Sequence, residues 1–165
     1  VFVVLEKRSM AKVPDEWVPQ LALALAAAVV EFRTSLENER IVCFDVSCFP
    51  WHGSIELSAL TVAEFDADPG LLSPSEVAAW RFYNFSESSK SWMRTTDLLK
   101  WMSQAYYAAE DESRAAMAKE FMQGCLAAAV SPEVKAALSS LPRDPRFRVR
   151  VAHPDSGEEF EFPAG

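Results

Sequence analysis

The sequence predicts a single α+β domain. Its expected core is an antiparallel sheet of two hairpins plus one or two further strands, with helices packed on one face. Three observations lead there: a self-consistent hairpin pattern over residues 40–60, a second alternating pattern over 146–162, and three- and four-residue apolar spacing in the segments around and between them. A chain of 165 residues suits one domain and can bury a sizeable core. Half of its residues are apolar and five are Trp, which excludes an intrinsically disordered chain.

The first hairpin can be derived residue by residue. A four-residue turn at Pro50-Trp51-His52-Gly53 sets Phe49 against Ser54. It then pairs Cys48 with Ile55, Val46 with Leu57 and Phe44 with Ala59 on an apolar face. Ser47–Glu56, Asp45–Ser58 and Cys43–Leu60 fall on the other, mostly polar face. A slip of one residue would mix the two faces, so the register is well specified.

Before this hairpin, Val1 to Leu5 reads as a short edge strand. Pro14-Asp15-Glu16 reads as a helix start. Trp17, Leu21, Leu25, Ala28, Phe32 and Leu36 then mark a long helix ending near Leu36 to Glu39. Its middle is apolar all round, so it should be covered on more than one side and lie across the inner face of the hairpin. After the hairpin, residues 61–69 lose strand character, Asp66 to Gly70 reads as a turn or loop, and Ser73 to Ala79 as a short helical turn. Trp80 to Phe85 reads as a further strand, and Ser86 to Ser91 as a polar, mobile loop.

Helices follow, opening at Thr96-Asp97, at Asp111-Glu112-Ser113 and at Ser131-Pro132-Glu133. Gly124 in the second of these weakens it by about 1 kcal/mol relative to Ala, so a close helix–helix or helix–sheet approach should require it. The tail alternates and folds as a hairpin around His153-Pro154-Asp155-Ser156. That pairs Val149 with Phe160, Phe147 with Phe162, Arg150 with Glu159 and Arg148 with Glu161. Such a charged face accounts for the arginine run from Arg143 to Arg150 without nucleic acid.

Composition narrows the function classes. Sixteen basic against 24 acidic residues give a net charge of −8, which argues against phosphate binding and favours a basic protein partner. Leu21 to Val30 is too short to span a bilayer, which takes about 20 apolar residues. Asp15 and Glu16 stand where a signal peptide would be basic, so no membrane or secretory role is expected. The chain begins with Val1, so Met10 is an alternative start. Three cysteines form no disulfide framework, and Cys43 and Cys48 fall on opposite faces of one strand. They read as buried residues of a reducing cytoplasm.

No catalytic or cofactor motif is recognisable. A metal site is not expected from two histidines, His52 and His153, both in turns. Cys48 points inward while His52 lies beyond the strand end, a poor nucleophile–base pair. Asp45 and Glu56 are diagonal on the outer face, about 7 Å apart at their β-carbons, a spacing that suits two-carboxylate hydrolysis. They are the catalytic alternative, as a small-molecule hydrolase or ligand-binding domain. The aromatic residues offer the other reading: Trp51 at the turn with His52, then Trp80, Tyr83 and Trp92, as a partner-binding set.

The order of elements, with the Pro50-Trp51-His52-Gly53 turn and the Trp80-Arg81-Phe82-Tyr83-Asn84-Phe85 stretch, resembles a group of small bacterial proteins of unassigned function, some encoded near toxin–immunity loci. The resemblance implies a cytoplasmic accessory or immunity-type protein. The expected function is therefore a non-catalytic, protein-binding module without cofactor, its oligomeric state open.

Overall fold

A computed structural model describes residues 12–160. Helix α1 spans Trp17–Leu36, and β1 (Ile41–Phe49) and β2 (Ser54–Thr61) form the first hairpin. A short helix α2 (Val62–Ala67) and single 3-10 turns lead to α3 (Thr96–Ala108). Helices α4 (Arg114–Ala129) and α5 (Pro132–Ser139) precede β3 (Arg143–Ala152). The expected edge strand at Val1 to Leu5 lies outside the described residues.

The β1–β2 register is the derived one, from Cys43 opposite Leu60 through Val46 opposite Leu57 to Phe49 opposite Ser54. Two hydrogen bonds close the turn, His52 N to Phe49 O at 3.0 Å and Gly53 N to Pro50 O at 3.2 Å. Gly53 has φ +62°, and a β-carbon there would meet Ser103 Cβ at 3.0 Å, so the turn needs glycine twice over.

The sheet differs from the expectation. It is mixed and three-stranded, in the order β2-β1-β3, rather than antiparallel with two hairpins. β3 runs parallel to β1, with Val151 beside Val46 and Arg150 beside Asp45. Period-two alternation is the same for parallel and antiparallel neighbours, so the pattern could not tell them apart. The terminal hairpin survives as one bridge, Ala152 to Glu159, with Phe160 N donating to Val151 O at 2.9 Å. This register is displaced by two residues from the expected pairing of Val149 with Phe160, which keeps each side chain on its face. The expected partners Glu161 and Phe162 lie outside the described residues. Trp80 to Phe85 is not a strand: its ladder pairing with β2 is the single Ala59–Phe82 bridge, and Asn84 breaks its path at φ 47°.

Phe44, Val46, Cys48, Ile55, Leu57 and Ala59 form the inner face of the main core. The helix lying against β1 and β3 is α4, while α1 packs on α4 and α5 behind it, a correction to the expected order of layers. Gly124 has the required close neighbour, since a β-carbon would stand 3.0 Å from Trp17 Cζ3. The outer face is also covered. Val42, Cys43, Leu60, Val77 and Trp80 form a second, smaller core with Phe65, Leu71 and Leu72, so helices on one face alone do not describe the fold. Helix α2, where no helix is expected from the sequence, begins with a capping box: Thr61 Oγ1 accepts from Glu64 N, and the Glu64 carboxylate accepts from Thr61 N.

Candidate functional site

Outer-layer packing sets the surroundings of the two carboxylates of the catalytic alternative. Asp45, expected on a solvent-facing strand, is buried and bound to Arg150, Nε to Oδ2 at 2.7 Å. Its other oxygen accepts from Ser47 Oγ at 2.7 Å. Arg150 reaches the Leu72 carbonyl with Nη1 and places its guanidinium 5.3 Å from the Trp80 ring centre. Glu56 instead accepts from the Tyr83 hydroxyl at 2.8 Å. Burial and the Glu56 carboxylate push the Tyr83 hydroxyl up to about 12, so it keeps its proton and donates it to Glu56. One carboxylate is thus neutralised in the interior and the other is held by a phenol.

The cysteines behave as packing residues. Cys48 lies in the core with Sγ 3.7 Å from Met102 Sδ, and burial, with Cys125 beside it, pushes its thiol up. Cys43 is pushed up to about 12, chiefly by burial beneath the outer layer. Neither thiol is a thiolate near neutrality, and His52 at the turn is exposed. Among the described residues no group of three or more His, Cys, Asp or Glu stands close enough to hold a metal ion.

The proposed partner-binding aromatics separate into two kinds. Trp80 and Trp92 are buried, in the outer and main cores respectively, and present no surface. Tyr83 is exposed beside β2. Trp51 is half-buried at the hairpin tip. Its ring stands 6.1 Å from Tyr106 and 5.7 Å from His153, and its carbonyl accepts from the Tyr107 hydroxyl at 2.9 Å. Periodicity along one strand could not foresee this cover, because α3 and the segment after β3 supply it from distant parts of the chain.

These rings wall a recess of about 500 Å³ whose rim carries Asp111, Asp155 and Arg114. His153 Nδ1 accepts from the backbone N–H groups of Asp155 and Ser156, at 3.2 and 3.3 Å, which fixes the ring against Trp51. Arg114 is already engaged: it pairs with Asp111 at 2.9 Å and lies 5.4 Å over Tyr107. Asp155 has no ion-pair partner among the described residues.

Three of the four arginines in the run near the C-terminus are spent on carboxylates, with partners other than those expected, while Arg143 lies 5.1 Å over the Phe147 ring. Arg148 pairs with Glu159 at 2.6 Å, Arg150 with Asp45, and Arg146 with Asp144 at 2.7 Å. No helix among the described residues is long and apolar enough to cross a membrane. No protein-family model, curated protein or solved structure matches the chain.

Proposed function

We propose that the chain is a non-catalytic, cytoplasmic protein-binding module of the immunity or accessory type, which takes a basic partner at the tip of the β1–β2 hairpin. The observation that carries this reading is the recess of Trp51, Tyr106 and His153 with Asp155 unpaired on its rim. An aromatic wall beside a carboxylate suits a Lys or Arg side chain. Ring and charge each attract the cation, the ring contributing about 0.5–2 kcal/mol depending on desolvation. The net charge of −8 would speed the encounter with a basic surface.

The test uses the native protein, Trp51→Ala and Asp155→Asn as parallel baits on lysate of the source cells, with mass spectrometry of what each retains. A basic protein held by the native bait, released by salt and lost from both variants is the expected result. A partner retained equally by all three baits removes the hairpin tip from the interaction.

A further inference from the structure

A second cavity, of about 500 Å³, opens between α1 and residues 81–89, away from the recess at the hairpin tip. Volumes of this order hold small organic ligands. Its floor is aromatic: Phe32 and Phe85 stack at 4.0 Å with ring planes 12° apart, and Phe82 meets Phe32 edge-on at 5.1 Å.

Both walls are fixed in advance. On the sheet side, Ala59 N donates to Phe82 O at 3.2 Å, Asn84 N to Ser58 Oγ at 2.9 Å and Leu57 N to Ser86 Oγ at 3.1 Å. These bonds hold the 82–86 segment along the edge of β2, with Asn84 left-handed at its corner. On the helix side, the Glu31 carboxylate accepts from Ser89 Oγ at 2.7 Å, Ser91 N at 3.1 Å and Ser91 Oγ. The serine-rich segment that reads as a mobile loop is therefore a tie between helix and sheet.

The charges lining this cleft do not cancel. Arg81 is occupied, with Nη1 2.5 Å from Glu39 and its guanidinium over Phe82. Glu31 is held below the usual carboxylate range by the Ser91 and Ser89 hydroxyls and stays ionised. Glu87 is exposed and has no ion-pair partner among the described residues. A flat apolar floor, two carboxylates and an arginine already paired favour a cation with a flat apolar body over an anion.

We propose that this cleft binds a small arylalkylamine, its ring against Phe82 and Phe85 and its ammonium toward Glu87 and Glu31. The hairpin-tip reading is not needed for this, and either site can fail without the other. The test is a backbone-amide NMR titration with phenethylamine, using phenylacetate and benzyl alcohol as anionic and neutral controls. Saturable shifts should appear at Ser35 and from Asn84 to Ser89, with both controls binding more weakly. Glu87→Gln, an exposed change, and Phe85→Leu should each weaken binding at least about threefold. Phenylacetate binding as well as the amine would overturn the proposal. So would shifts confined to Trp51 and Tyr106, no saturable shifts at all, or native affinity in both variants.

Discussion

Arg150 Nε donates to Asp45 Oδ2 over 2.7 Å, and each side chain is 2% exposed, so an ion pair out of reach of water joins β3 to β1. A pair in such surroundings adds little net stability over apolar residues of the same volume, but losing one member strands the other charge. Asp45→Leu and Arg150→Met should therefore each destabilise by about 3–5 kcal/mol. The double change Asp45→Leu with Arg150→Met should cost much less than their sum. Denaturant unfolding of the four proteins measures the coupling; strictly additive effects would sink this account.

Gly124 illustrates a position where helix propensity and packing oppose each other. Replacing Gly by Ala in a helix gains about 1 kcal/mol when nothing else changes. Here the new methyl would meet Trp17 at 3.0 Å, and that indole is pinned in the core 5.3 Å from Phe121. Overpacking of this kind costs about 1–3 kcal/mol, so Gly124→Ala should lower the melting temperature. A rise would mean that α1 and α4 can part without penalty.

Much of this architecture was legible in the sequence, and the failures share one physical origin. The β1–β2 register followed from two strands whose faces agree only one way. The starts of α3 and α5 also followed from local signals, and Ser131 does cap α5 by accepting from Val134 N. Strand β3 was recognised as a strand but given the wrong neighbour, because alternation carries no direction. Asp45 looked like a solvent-facing acid because its cover comes from residues 62–80 and its counter-charge lies 105 residues away. Trp51 was placed correctly in the turn, yet its walls come from α3 and His153. What was missed is contact between distant segments. The exception is α2, whose Thr61-to-Glu64 capping signal was present and overlooked.

Two groups should leave a mark on the pH dependence of stability. Tyr83 holds its proton more tightly in the folded chain, up to about 12 against an ordinary 10. Its contribution is complete below pH 10 and is lost as pH rises through about 12. Asp144 lies at the other end. The Arg146 guanidinium and backbone N–H hold it down to about 2 from 3.8. Its contribution is complete above about pH 4 and disappears as pH falls through about 2. Ultraviolet titration should show a late tyrosine ionisation that Tyr83→Phe abolishes and Glu56→Gln moves to lower pH. Asp144→Asn should flatten the acid limb of the stability curve; an unchanged limb would remove Asp144 from it.

Trp51 separates stability from recognition. A fully buried Trp cut to Ala costs about 3–5 kcal/mol, whereas a change on an open surface stays within about 0.5 kcal/mol. Trp51 lies between these limits, with one side on Phe49, Tyr106 and His153 and the other facing the recess. Trp51→Ala should accordingly destabilise by about 1–2 kcal/mol, between the two limits. In a chain of this size that is a drop of about 2–8 °C in melting temperature. The Tyr107-to-Trp51 hydrogen bond uses the backbone carbonyl and should survive the change. Trp51→Phe should keep most of the packing with Tyr106 and recover most of that loss. If the proposed partner uses the recess, Trp51→Ala should weaken the complex by 2 kcal/mol or more, about thirtyfold, well beyond its effect on the free protein. A stability loss above about 3 kcal/mol, with binding unchanged for the folded fraction, would make Trp51 a core residue and leave the hairpin tip without a recognition role.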